Sequence, residues 1–240
     1  MQWFESWFDS PYYHILYKDR DFKEAKDFID KLLNEIKLPQ NSLIVDLACG
    51  RGRHSVYLNQ KKYRVLGLDL SKSSIEFNKQ FENKTLSFRV HDMKDPIIGE
   101  KADAIVNLFT SFGYFDSDND DEKVFLSVSN SLKSNGLFVL DFLNAEYVKS
   151  TLIAKETVIK GDIKFDILRK IDNDKVIKEI IFRDKDEDFH FKESVKLHSF
   201  SKLKHLAEKY ELRFVNNWGN YKLEPISKNS SRCIMLFQKK

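Results

Sequence analysis

Ten residues constrain this chain more than any others: Asp46-Leu47-Ala48-Cys49-Gly50-Arg51-Gly52-Arg53-His54-Ser55. They follow the apolar run Leu43-Ile44-Val45 and lead into a helical pattern. A chain that leaves a buried strand and at once becomes small and bare makes a tight turn. Glycine there tolerates positive φ and lets the backbone approach a ligand closely. The rest of the chain has to say which ligand.

Residues 21–36 read as a helix, because Phe22, Ala25, Phe28, Ile29, Leu32, Leu33 and Ile36 fall at three- and four-residue steps. Pro39-Gln40-Asn41-Ser42 ends it. Strands are expected at 43–47, 64–68 (running into Asp69), 86–90, 102–109 and 137–143. Helices are expected at about 53–60, after Ser71 or Ser73, and at 119–133, the last closed by Gly136. The strands lack polar alternation, so they are buried on both faces, as in a parallel sheet covered by helices. Residues 21–145 therefore read as a doubly wound α/β unit. The rhythm then changes. KFDILRKI, VIKEIIFRD and FHFKESVKLHSF alternate polar and apolar residues around turns at 172–175 and in KDED. They form an antiparallel meander with one wet face, expected as an insertion over 153–200 within a single 1–240 domain. A helix capped by Ser201, then strands at 212–218 and 232–238, complete the chain.

Two ligand classes suit the glycine turn. Gly50-Arg51-Gly52-Arg53-His54-Ser55 is an imperfect dinucleotide fingerprint, with Ser55 at its third small position. D-x-A-C-G-x-G fits better. Asp46 precedes the glycines, Asp69 ends the second strand 23 residues later, and Asp92 follows the third. In an open α/β sheet these three acids lie along the carboxyl edge, where ligands bind. One acid for an amino group, one for ribose hydroxyls and one for an adenine amine suit S-adenosylmethionine, which has no phosphate to cradle.

On these motifs the chain resembles the class I S-adenosylmethionine-dependent methyltransferases, in their small-molecule and uncharacterised branch. IVDLACGRGRHS, LGLDLS, VHDM, NLFTSFGYF and FVLDFLN carry the resemblance, with HSFSKLKHLAEKYELRFV and RCIMLFQKK near the end. It implies a Rossmann-like seven-stranded sheet whose last strand is antiparallel, with the β-meander inserted. It implies S-adenosyl-L-methionine as cofactor, with Asp46 under the turn orienting the methionine end. Ala48, Gly50 and Gly52 would allow backbone approach; many members have glycine where Ala48 stands. Asp69 would take the ribose hydroxyls and Leu70 would pack on adenine. Asp92 would receive the adenine amine, Met93 would cover the ring, and Asn107 and Leu108 would face the methionine portion.

The acceptor is narrowed by what the resemblance does not bring. Asn107-Leu108-Phe109-Thr110 has no proline clamp for a nucleobase amine, neither cysteine follows a proline, and no glutamate pair marks a protein-arginine enzyme. A small-molecule amine, hydroxyl or carboxyl acceptor is expected, methylated by direct in-line displacement. Tyr13, His14 and Tyr114 are candidate catalytic groups, with His198 a further candidate base. The N-terminal aromatics, residues 1–20, form either a lid over the site or simple packing on the following helix; Arg53 and His54 either touch a ligand or begin a solvated helix. Two other readings stand: a non-catalytic S-adenosylmethionine-binding module, and a nicotinamide-dependent oxidoreductase.

Composition excludes more than it selects. With 40 basic and 37 acidic residues interspersed, nucleic acid is an improbable partner. No apolar run approaches the ~20 residues of a membrane span, and the first residues lack a secretory core. Two cysteines make no disulfide framework, so a reducing, cytoplasmic setting is expected. Asp116–Asp121 lacks the glycine and final glutamate of a calcium loop. No metal site is expected, since His190, His198 and His205 are scattered. Pairing through the meander edge could make a homodimer.

Overall fold

The computed structural model describes residues 3–18 and 22–240. The expected helix start at Asp21 lies outside them. Two short helices, α1 (Trp3–Phe8) and α2 (Pro11–Leu16), precede α3 (Phe22–Ile36). Then come β1 (Leu43–Leu47), α4 (Arg53–Gln60), β2 (Arg64–Asp69), α5 (Lys72–Asn78), β3 (Leu86–Val90), β4 (Ala102–Asn107), α6 (Asp118–Ser131) and β5 (Leu132–Leu143). After α7 (Ala145–Thr151) runs the meander: β6 (Lys155–Lys160), β7 (Ile163–Asp172), β8 (Lys175–Asp184) and β9 (Glu187–Lys196). Helix α8 (Phe200–Lys209), β10 (Leu212–Trp218) and β11 (Arg232–Lys239) finish the chain.

Seven strands form one sheet in the order β10-β11-β5-β4-β1-β2-β3. β1 pairs in parallel with β2 and β4, whereas β11 is antiparallel to both β5 and β10. This is the expected seven-stranded sheet with its last strand reversed. The meander is a second, four-stranded antiparallel sheet. The chain steps from β1 outward through β2 and β3, then returns to place β4 on the other side of β1. Such a reversal opens a crevice at the carboxyl ends of the flanking strands.

The apolar runs are explained by burial on both faces. Val45 and Leu47 pack with Phe125 and Val128 on one side, and Ile44 packs with Phe28, Ile29 and Leu32 on the other. Fully burying each such side chain contributes roughly 1.5–3 kcal/mol, so alternation with polar residues would be costly here. A third cluster joins the N-terminal helices to the meander: Trp7 and Leu16 pack on Phe165, Ile167, Ile180 and Phe182.

Local expectations shift at several points, and one open alternative resolves. Helix α6 ends at Ser131, and Gly136 sits inside β5, whose pairing with β4 is broken by a bulge between Ala102 and Ala104. Sheet pairing has overridden the helical pattern over 132–133. Ser71, not Ser73, caps α5, its Oγ accepting from the Ser74 amide at 3.0 Å. Ser199 rather than Ser201 caps α8. The meander gains a fourth strand, β6, and α1, α2 and α7 were not anticipated; each is too short to show a periodic face.

Candidate active site

The turn after β1 is built from left-handed backbone. Ala48, Gly50 and Gly52 have φ of 62°, 53° and 71°. A side chain on Gly52 would meet the Phe88 ring at 2.9 Å, whereas one on Gly50 would enter open space. Gly52 is thus small because the sheet is close, and Gly50 keeps a bare peptide facing the crevice. Ala48 accepts a conformation that costs an L-residue roughly 1–2 kcal/mol, which is a physical reason for glycine at this place in other chains.

The three strand-end acids sit in three environments. The Asp69 carboxylate accepts from the Gly50 amide (2.7 Å) and the Ser71 amide (2.8 Å), tying the turn to the start of α5. Burial pushes its pKa up, against those two hydrogen bonds. Asp92 is half-buried and accepts from the Lys94 amide at 3.0 Å. Asp46 is 1% exposed and accepts from Ser55 Oγ at 2.6 Å. Burial raises its pKa to about 6, the Ser55 bond opposing and the Asp69 charge adding to the rise.

That shift has a measurable sign. A carboxyl whose folded pKa lies above its unfolded value stabilises the fold below about pH 4, and this contribution is lost as pH rises through about 6. The loss is about 3 kcal/mol at most. Urea unfolding of Asp46→Asn beside wild type should therefore show the difference moving in the variant's favour by about 2 kcal/mol between pH 4.5 and pH 7. A constant difference would mean that Asp46 does not titrate in this range.

A cavity of about 1260 Å³ opens over the turn. Ala48, Gly50, Asp69, Leu70, Asp92, Met93 and Leu108 all line it. Tyr13, His14 and Tyr114 line it too. Asp46, Gly52 and Asn107 lie beneath it, and Asn107 donates to the Leu47 carbonyl at 2.8 Å. Among the described residues Asn107 Oδ1 is buried without a partner. The Tyr114 hydroxyl donates to the Thr110 carbonyl. His54 also lines the cavity, with its Nε2 buried and unpartnered among the described residues. Burial, and secondarily Arg53, lowers its pKa to about 3, so it is neutral at physiological pH. His198 lies outside the cavity, 3.0 Å from buried Asp121.

The N-terminal helices form one wall. Trp3 and Phe8 meet the Tyr114 ring edge-on and tilted, with centroids at 5.2 and 5.4 Å. Asp9 accepts from Ser71 Oγ (2.7 Å) and the Ser73 amide (3.2 Å), which fastens this segment to α5. Trp7 Nε1 and the Tyr17 hydroxyl both donate to Glu193 at 2.7 Å. Among the described residues the aromatics thus pack on the meander and on Tyr114 and Phe115.

The meander wall of the cavity is a feature that motif reading missed. Arg169 pairs with Glu156 at 2.5 Å and Lys178 with Glu193 at 3.6 Å, all four lining the cavity. Strand parity carries the signal. Phe165, Ile167 and Arg169 share one face, as do Lys178, Ile180 and Phe182 on β8, and a charge on the apolar face of a strand marks a polar cavity. Asp116–Asp121 is the start of α6 and its approach, with Ser117 as cap, and no cluster of metal-ligating residues exists among the described residues. Cys49 and Cys233 are buried free thiols whose pKa burial pushes up.

The crevice carries polar and apolar groups side by side. Bare backbone at Gly50 and half-buried carboxylates at Asp69 and Asp92 face it, with Leu70 and Met93 beside them. Comparison with known proteins agrees with the resemblance seen in the motifs. Residues 39–198 match the family model described as a methyltransferase domain. YqeM of Bacillus subtilis, a methyltransferase by name, is 35% identical over 111 residues, 45% of this chain and 44% of its own. The dTDP-3-amino-3,4,6-trideoxy-alpha-D-glucopyranose N,N-dimethyltransferase of Streptomyces venezuelae is 29% identical over 119 residues, 49% of this chain and 48% of its own. The matches thus span about half the length of these relatives. An S-adenosylmethionine-dependent methyltransferase structure from Clostridium acetobutylicum superposes with a TM-score of 0.80 over 95% of this chain and 96% of its own, at 22% identity.

Proposed function

The chain belongs to the methyltransferase-domain family, with S-adenosylmethionine as cofactor, and we propose that it methylates a small-molecule acceptor by direct in-line displacement. The observation carrying this reading is one cavity lined both by the glycine turn with Asp69 and Asp92 and by aromatic rings and paired charges. Bound S-adenosylmethionine supplies an electrophilic methyl on a sulfonium, so the protein's contribution is alignment and exclusion of water.

In this reading Asp69 holds the ribose hydroxyls, while Asp92, Met93 and Leu70 hold the adenine. Ala48, Gly50 and Leu108 approach the methionine portion, and Asp46, Gly52 and Asn107 support them from below. Residues 1–20 act as a lid and 153–200 as an inserted acceptor wall of a single 1–240 domain. The acceptor group is a nitrogen, an oxygen or a carboxylate. An amine is favoured on two grounds. The Streptomyces venezuelae relative is by name an amino-sugar N,N-dimethyltransferase. The Tyr114 hydroxyl is committed to a backbone carbonyl, and a neutral amine can lose its proton after transfer, without a strong base. Among the described residues no helix is long and apolar enough to cross a membrane.

Calorimetric titration of S-adenosylmethionine, S-adenosylhomocysteine and NAD tests the cofactor. Micromolar binding of the first two and none of the third is expected; binding of NAD alone would overturn the reading. A panel of amines, alcohols and carboxylates assayed for S-adenosylhomocysteine release then tests turnover. Cofactor binding with no turnover on any class would favour a non-catalytic binding module.

A further inference from the structure

Two consecutive residues after β4, Phe109 and Thr110, have φ of 60° and 58°. A left-handed conformation is uncommon outside glycine, and for a bulky or β-branched residue it is an outlier held only by its surroundings. Both residues line the cavity, next to Leu108.

What holds them is a single residue, through its carboxylate for Phe109 and its backbone carbonyl for Thr110. Asp141, on β5, is fully buried. Its Oδ2 accepts from the Phe109 amide at 2.8 Å and from the Tyr221 hydroxyl at 3.1 Å. Its Oδ1 accepts from Arg232 Nε at 2.8 Å and Nη2 at 2.6 Å. The Asp141 carbonyl accepts from the Thr110 amide at 3.1 Å. Each oxygen of the side chain thus has two donors, and both strained residues are tied to Asp141 by their amides. The Phe109 ring stacks on Tyr221 at 4.7 Å and carries the Arg53 guanidinium on its face at 4.1 Å. His54 packs against the same ring at 5.0 Å. One buried anion therefore couples the start of α4, the end of β4, the β10–β11 loop and β11.

We propose that Asp141 is a positioning residue for the amino-acid end of the cofactor site, holding Phe109 and Thr110 left-handed so that Leu108 and the adjoining backbone face the methionine portion. The proposal rests on the cofactor reading above. Asp141 touches no ligand; it acts through the turn. A merely structural carboxylate would not discriminate between ligands that share the nucleoside, and a left-handed turn has a specific remedy in glycine.

The test is calorimetry with S-adenosylhomocysteine and 5′-methylthioadenosine, which lacks the amino-acid tail. Asp141→Asn should weaken S-adenosylhomocysteine tenfold or more and leave 5′-methylthioadenosine within twofold. Thr110→Gly alone is the reference against which the double variant is read. Asp141→Asn with Thr110→Gly should recover most of the lost affinity. Tyr221→Phe, which removes one donor and no charge, should show a selective loss of about threefold, and it carries the test if Asp141→Asn does not fold. Equal loss for both ligands, no loss, or a loss that Thr110→Gly does not restore would overturn the proposal. Wild-type protein that binds neither ligand would overturn the cofactor reading first, and the proposal with it.

Discussion

Asp69→Ala should weaken S-adenosylhomocysteine binding by about 100-fold without lowering the melting temperature by more than a few degrees. The carboxylate accepts two backbone amides within the protein, from Gly50 and Ser71. In the proposed complex it also accepts the ribose hydroxyls. Hydrogen bonds to a charged group contribute about 1.5–3 kcal/mol each, and 100-fold corresponds to about 2.7 kcal/mol. The alanine variant loses the ligand contacts and also releases the Gly50 peptide that shapes the turn. Asp69→Asn, which keeps one acceptor for the Gly50 amide, should lose nearer tenfold. Calorimetry at fixed pH reads both. Unchanged affinity in the alanine variant would remove Asp69 from the ribose role.

Trp7→Ala should release the N-terminal helices while leaving the seven-stranded sheet folded. Trp7 is fully buried, packs tilted on Phe191 with ring centroids 4.6 Å apart and donates to Glu193. Truncating a buried tryptophan typically costs 3–5 kcal/mol. Here the loss falls on the cluster shared by α1, α2 and the meander, which meets one of the two clusters flanking the main sheet through Trp3 and Phe8. Hydrogen exchange should show protection lost over residues 3–17 and along β8 and β9, with β1, β4 and β5 retained. Affinity for S-adenosylhomocysteine should fall as well, because Asp9 no longer fastens the segment to Ser71 and Ser73. Uniform loss of protection would show one cooperative core; intact affinity would make these helices packing and not a lid.

The carboxyl-edge acids were legible because each reports a local event. Asp46, Asp69 and Asp92 follow apolar runs of strand length, and alternation of strand and helix in a right-handed, doubly wound order can only bring such ends to one edge. Gly50 and Gly52 were legible for the same reason, since positive φ and close approach are properties of a few consecutive residues. The reversed final strand was reached through resemblance, not from the pattern of RCIMLFQKK, which reads as a buried strand in either direction.

The amino-acid sequence by itself determined the parallel sheet, the turn and its acids, and an alternating meander beyond them, because periodicity and turn chemistry act over a few residues. Only the tertiary structure decided what faces that turn. Tyr17, Lys178 and Glu193 meet across 161–176 positions of chain, and Asp141 collects Phe109, Tyr221 and Arg232 from separate elements. Those contacts depend on how the meander and the β10–β11 loop dock, and docking is set by burial summed over many side chains. A lone aspartate in FVLDFLN carries no local sign that a strained turn 32 residues away will hang on it.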